Sequence, residues 1–108
     1  MITTHVLDTS RGVPAAGLAV VLERRLTAGW VTIGGRTTDA QGRVASFADT
    51  SLAPGTYRLT FDTGAYHRGI GVSPFFPEVV VTFEVGSDAH HHVPLLLSPF
   101  GYSTYRGT

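Results

Sequence analysis

Three of the five histidines are consecutive, at the start of the run HHHVPLLLS in residues 90–98, and a fourth stands near the N-terminus in THVLD. A neutral imidazole accepts a proton from water near neutral pH, so His5 and His92 are candidates for acid–base catalysis. His90 and His92 are also two positions apart, a spacing that can present two nitrogens to one zinc ion, with His5 as a third ligand. Asp88 is the one carboxylate beside this run. The residues alone leave both chemistries open.

The strands that carry these histidines decide which way the rings point, because successive side chains of a strand alternate between two faces. In the first strand the core series is Ile2, Thr4 and Val6, so His5 points outward. In the second strand the core series is His91, Val93, Leu95 and Leu97, and the outward series is His90, His92, Pro94, Leu96 and Ser98. If the two strands are neighbours, His5 and His92 share an outer patch. Leu7 and Leu96 lie on the same face, which suggests cover from a partner subunit.

The remaining histidines and one proline have plainer interpretations. We interpret His90 and His91 as a solvated strand end, with His91 partly buried, and His67 in the segment YHRG as a surface residue. Pro94 cannot donate a hydrogen bond to a neighbouring strand, so it predicts an edge position or a bulge.

Short apolar runs separated by turn residues dominate the rest of the chain, which contains thirteen glycines and six prolines. The alternation and turn spacing predict an all-β sandwich in a single domain, residues 1–108. We expect a short helix or an irregular loop within residues 63–77. The eight predicted strands are 2–8, 17–25, 29–34, 43–48, 56–62, 78–85, 90–98 and 101–106.

Composition excludes several classes of protein. Eight arginines and no lysine balance eight acidic residues, so the chain lacks the basic surface of a nucleic-acid-binding or membrane-surface protein. A small neutral domain is poorly protected from self-association, so an oligomer is plausible. The absence of cysteine rules out disulfides and thiolate sites. No signal peptide or apolar run of about 20 residues is apparent, and we expect a cytoplasmic protein.

Several sequence blocks resemble the 5-hydroxyisourate hydrolases, the transthyretin-related proteins of urate breakdown. The most specific block is HVPLLLSPFGYSTYRG at residues 92–107. THVLD followed by a turn and GVPA is similar to the family's opening, and TDAQGR (38–43) and SPFFPEV (73–79) are similar to its other blocks. The resemblance covers nearly the whole chain.

The resemblance implies a transthyretin-like sandwich of two four-stranded sheets with one short helix. It implies a homotetramer with active sites at the dimer–dimer interface, and hydrolysis of 5-hydroxyisourate to 2-oxo-4-hydroxy-4-carboxy-5-ureidoimidazoline without metal or organic cofactor. The implied site contains two histidines, an arginine and the C-terminal tail. By that resemblance the catalytic residues are His5, Arg43 and His92, and the substrate-binding residues are His5, Arg43, Tyr105 and Thr108.

Two departures from the family pattern and two rival functions accompany this expectation. Thr108 replaces the usual final serine and keeps a hydroxyl, and His91 replaces the usual tyrosine on the face opposite to His92. Without the resemblance, Arg43 would be a surface arginine and Tyr105 a packing aromatic. The rivals are a transthyretin-like carrier of a small ligand and a zinc-assisted hydrolase. A carrier has no need of the two histidines and the arginine.

Overall fold

A computed structural model describes residues 1–48, 51–87 and 90–108 and contains two packed β-sheets and one short helix. The predicted fold class, a transthyretin-like sandwich, is confirmed. Asp88, noted above beside the histidine run, lies outside the described residues. The elements are β1 (Ile2–Asp8), β2 (Val13–Pro14), β3 (Ala19–Leu26), β4 (Gly29–Thr37), β5 (Arg43–Val44), β6 (Gly55–Phe61), α1 (Thr63–Gly69), β7 (Val79–Val85), β8 (His91–Ser98) and β9 (Gly101–Thr104).

The first sheet has the order β2-β1-β8-β9, with β5 also paired to β1, and the second has the order β4-β3-β6-β7. The predicted strand 43–48 is wrong beyond Val44. The chain bends there, so that Phe47 enters the core and the Ser46 hydroxyl donates to the Ala48 carbonyl, 2.8 Å away. The two-residue strand β2 was not predicted, because two residues carry no periodicity.

The core lies between the two sheets, and the alternation expected from the sequence is present in β1, β6 and β8. In β6, Tyr57, Leu59 and Phe61 point inward and are almost fully buried. In β1 and β8 the inward series include Ile2, Val6, Leu95 and Leu97, so the opposite faces of both strands point away from the core. Buried side chains from both sheets form one continuous cluster.

The pairing that matters most for function is the parallel contact between β1 and β8, which joins the two ends of the chain. Its register places Thr3 opposite His92 and His5 opposite Pro94. The strand containing Pro94 is not at an edge, and its register with β1 shows no bulge, so neither predicted alternative holds. Pro94 instead lies between the ladder with β9, which ends at Leu95, and the isolated bridge from His92 to Gly107, and it takes part in neither.

The helix α1 corrects the interpretation of His67. Asp62 caps the helix by accepting a hydrogen bond from the amide of Ala65 at 3.2 Å. One helix face packs against the sandwich, and His67 on that face is 1% exposed rather than at the surface. The sequence analysis did not predict this burial, because it assigned no core-facing side to the segment that contains His67.

None of the helices in the described part of the chain is long and apolar enough to cross a membrane.

Candidate active site

The pairing of β5 with β1 brings Arg43 beside His5. The two residues are direct partners across this antiparallel pair, so their side chains leave the sheet on the same face. A tight turn before β5 fixes this register, since the Asp39 carboxylate accepts hydrogen bonds from the amides of Gln41 and Arg43, each at 2.9 Å. Within the described residues, the Arg43 guanidinium has no hydrogen bond or ion pair, and it is exposed.

The ring of His5 is held by the same turn. Its Nε2 lies 2.8 Å from the backbone carbonyl oxygen of Gln41. A carbonyl only accepts, so Nε2 carries the proton and donates. In the neutral ring Nδ1 is therefore the acceptor nitrogen, available to a ligand or a water molecule.

The pairing of β8 with β1 brings His92 beside the first strand, at Thr3. The Thr3 hydroxyl oxygen lies 2.7 Å from Nδ1 of His92 and 2.8 Å from Nε2 of His90. One hydroxyl thus contacts both imidazoles, whose ring centroids are 6.2 Å apart. The outward patch that the sequence predicted for His5 and His92 is present, because the two strands are neighbours in one sheet.

A cleft of about 220 Å³ opens beside these side chains. Three of the predicted site residues, Arg43, His92 and Thr108, line it together with Thr3 and His90. His5 is not among the lining residues, although it is the direct partner of Arg43 across the β1–β5 pair. Tyr105 does not line this cleft: it is 58% exposed and borders a separate pocket of about 270 Å³, which also touches His92.

The tail packs directly on His92. The amide of Gly107 donates to the carbonyl of His92 at 2.8 Å, which continues the sheet past the end of β9. A Cβ atom at position 107 would lie 2.5 Å from Cδ2 of the His92 ring and 3.1 Å from Pro94. Only glycine fits this close approach, so the tail helps to fix the orientation of the ring.

The surroundings of His92 favour its neutral form. Burial is the main cause of its lowered pKa, and the positive charge of Arg43 is the next, followed by His90 and His5. A hydrogen bond to the backbone of Thr3 acts in the opposite direction and raises the pKa of His92. The site therefore combines a neutral imidazole, which can take a proton, with a guanidinium, which can stabilise an anion.

The zinc site that the sequence left open is not assembled. No group of three histidine, cysteine or carboxylate side chains in residues 1–48, 51–87 and 90–108 is placed to hold a metal ion. His90 and His92 each direct a nitrogen at Thr3 rather than at a shared metal position.

Three features of the site escaped the sequence-based predictions. Thr3 is two residues before His5 in β1 and so shares its outward face, which was the available signal, but it was given no role. Gly107 was noted only as part of the tail. His91 was assigned to the core-facing series but expected to be only partly buried at a solvated strand end, whereas it is 5% exposed, and its Nε2 accepts from the Gly86 amide at 3.3 Å.

Comparisons with known proteins agree on one family. A family model described as "HIUase/Transthyretin family" matches residues 2–107. The 5-hydroxyisourate hydrolase of Salmonella typhimurium is 44% identical over 110 residues, which cover 100% of this chain and 81% of the relative. That of Caulobacter vibrioides is 45% identical over 112 residues, which cover 99% and 97%.

Solved structures give the same answer. The structure of Klebsiella pneumoniae 5-hydroxyisourate hydrolase matches with a TM-score of 0.90 and 40% identity, over 99% of this chain and 98% of that one. Sea bream transthyretin in complex with thyroxine matches with a TM-score of 0.92 and 32% identity, over 99% and 94%. From its sequence and its structure alike, this chain belongs to the HIUase/transthyretin family.

Proposed function

We propose that this chain is a 5-hydroxyisourate hydrolase of urate degradation. The observation that carries the proposal is the position of His92, a ring with lowered pKa, in one cleft with the exposed guanidinium of Arg43. Hydrolases of this name are 40–45% identical to the chain, against 32% for the sea bream transthyretin. The product would be 2-oxo-4-hydroxy-4-carboxy-5-ureidoimidazoline.

In the proposed reaction, His92 removes a proton from a water molecule as its oxygen attacks the C6 carbonyl carbon of the substrate. The carbonyl oxygen becomes an oxyanion, which the guanidinium of Arg43 stabilises with charge and directed N–H groups. Collapse of this intermediate breaks the bond from C6 to the ring nitrogen. The proton held by His92 passes to that nitrogen, which becomes the terminal amine of the ureido group.

The other site residues bind the substrate in this proposal. His5 offers Nδ1 as an acceptor, since its Nε2 is used by Gln41. Thr108 lines the cleft and offers its hydroxyl. We infer that a second protomer covers the outward face of β1 and β8 in a homotetramer, and that Tyr105 contributes a hydrogen bond to the substrate there.

The direct test is His92→Asn, which keeps a polar side chain but removes the base. We expect the rate of decay of freshly generated 5-hydroxyisourate to fall by roughly a hundredfold or more, as for loss of acid–base catalysis. Circular dichroism establishes that the variant is folded. His67→Asn, at a histidine remote from the cleft, is the comparison variant and should keep its activity if it folds. An unchanged rate in His92→Asn would rule out the role of His92.

A non-catalytic carrier is the second candidate, and the close structural match to a thyroxine-bound transthyretin favours it. The two functions differ in one measurement. A hydrolase shortens the lifetime of 5-hydroxyisourate catalytically, at enzyme far below substrate concentration. A carrier shows saturable thyroxine binding and leaves that lifetime at its uncatalysed value.

A further inference from the structure

The hydroxyl of Thr3 is shared by two imidazoles, and this limits where the protons can be. The oxygen has one proton to donate and can accept two hydrogen bonds. It lies 2.7 Å from His92 Nδ1 and 2.8 Å from His90 Nε2. Both contacts are hydrogen bonds, so at least one ring donates to Thr3, and the hydroxyl donates to no more than one ring.

The proposed role of His92 as the base selects one arrangement. Nδ1 of His92 is engaged by Thr3, so Nε2 is the nitrogen left to take a proton from water. To do so, Nε2 must be unprotonated in the resting neutral ring, and the ring proton must then be on Nδ1. Nδ1–H donates to Thr3, the Thr3 hydroxyl donates to Nε2 of His90, and every hydrogen bond in the chain is satisfied.

We propose that Thr3, supported by His90, is a positioning residue that holds His92 in the Nδ1-protonated tautomer, with Nε2 as the base. The inference rests on the proposed function, in which His92 accepts the proton of water. It gives His90 a role other than metal ligation: a partly solvated acceptor at the end of a hydrogen-bonded chain.

The same chain stabilises the charged state of His92 that forms during the reaction. The positive charge of Arg43 on β5, and the rings of His90 and His5, all lower the pKa of His92 and so oppose its charged form. A protonated ring makes a stronger hydrogen bond from Nδ1 to the Thr3 oxygen than a neutral ring does. Thr3 thus offsets part of the repulsion, much as a third group orients and supports the base in hydrolytic triads.

The test compares Thr3→Val, which keeps the shape and removes the hydroxyl, with Thr3→Ser, which keeps the hydroxyl. We expect Thr3→Val to lower kcat by roughly 10- to 100-fold, the range found when the hydrogen-bond partner of a metal-ligating histidine is removed. KM should change little, and Thr3→Ser should restore most of kcat. Adding His90→Phe to Thr3→Val should cause little further loss, since the chain is already broken. A kcat within twofold of wild type in Thr3→Val would overturn the inference.

A second measurement needs no substrate. The ¹⁵N chemical shifts of the His92 ring report which nitrogen is protonated. We expect the Nδ1-protonated form in the wild type and in Thr3→Ser, and loss of that preference in Thr3→Val. An Nε2-protonated wild-type ring would refute the inference even if the enzyme is active. If the wild type lacks hydrolase activity, the proposed function fails, and the ring shifts still decide the role of Thr3.

Discussion

The imidazole of His92 is fixed by residues from both ends of the chain. Thr3 holds Nδ1, and Gly107 lies against the carbon edge of the ring. These contacts leave the ring little freedom to rotate, which is the preorganisation that the proposed proton transfer would require.

Gly107→Ala tests the close approach of the tail. The added methyl overlaps the His92 ring and Pro94, so either the ring or the tail must move. We expect activity to fall by about tenfold or more, since small displacements of a catalytic group are costly, while the thermal midpoint changes little. Gly69→Ala, where the new methyl meets nothing within 4 Å, is the control. Full activity in Gly107→Ala would contradict the packing argument.

After burial, the charge of Arg43 is the main cause of the lowered pKa of His92, so it should affect the pH range of the proposed reaction. Burial and then the charge of Arg43 lower the pKa of His92 below 6.5, so the neutral base persists as the pH falls below that value. Arg43→Gln removes the charge, and the pKa should move back up. The acidic limb of the kcat/KM profile and the NMR titration of the ring should both shift to higher pH. Arg36→Gln, at an exposed arginine on β4, should shift neither, and an unmoved midpoint in Arg43→Gln would disprove the coupling.

For single residues, the sequence predicted which face of a strand a side chain occupies better than it predicted which side chains touch. Alternation placed His5 and His92 on the outward face, because one residue of offset decides the face of every side chain. The bridge from Thr3 to His90 and His92 depends on the register between β1 and β8. Nothing in either strand alone specifies that register, so the role of Thr3 was not predictable.

Among the elements, the strand β5 is only two residues long, yet it places Arg43 opposite His5 in the candidate site. So short a strand makes few hydrogen bonds to β1, and the turn before it helps to hold β5 in place. Gly42 in that turn has a φ of +74° and packs against the backbone carbonyl of Val6. The amide of Val6 also donates a hydrogen bond to the Gly42 carbonyl at 2.8 Å, which holds the turn against β1.

Gly42→Ala should therefore misplace β5. The alanine meets both an unfavourable φ and the Val6 carbonyl, so we expect a loss of about 1–3 kcal/mol in the free energy of unfolding. Hydrolase activity should fall as Arg43 moves. Gly12→Ala isolates the first effect, because Gly12 has a φ of +68° and open space around it. Denaturant unfolding measures both variants, and equal destabilisation would show that the contact with Val6 is unimportant.

The helices and strands were predicted more accurately where the alternation of apolar and polar residues was longer. The long alternating strands β1, β6 and β8 were predicted within a residue or two. The predicted strand 43–48 was too long, because Phe47 was counted as a strand residue when it enters the core from a bend. The burial of His67 was missed, since a seven-residue helix among glycines has too few turns to show its inward face.

At the level of the whole molecule, the outward face of β1 and β8 remains only half-buried in the single chain. Leu7 and Leu96 are partners on this face, beside the residues of the cleft. The sequence suggested that a partner subunit covers it, and the assembly stays a prediction, because one chain contains no contact between copies.

Leu96→Glu should separate the protomers without unfolding them. A charge on a covered apolar face opposes association, and the cleft would lose its proposed cover. We expect a smaller species by analytical ultracentrifugation and a fall in specific activity. Val31→Glu places the same charge at a side chain that is 46% exposed on β4 of the other sheet, and it should keep the wild-type mass. A wild-type monomer with full activity would refute the tetramer.

The parallel pairing of β1 with β8 has a consequence during protein synthesis. Thr3 and His92 are 89 positions apart, so the first strand leaves the ribosome long before its central partner exists. At about 5–20 residues per second, that interval is roughly 4 to 18 s. Throughout it, a half-apolar strand edge is open to other nascent chains. Translation speed and chaperone supply should therefore govern the soluble yield of this protein.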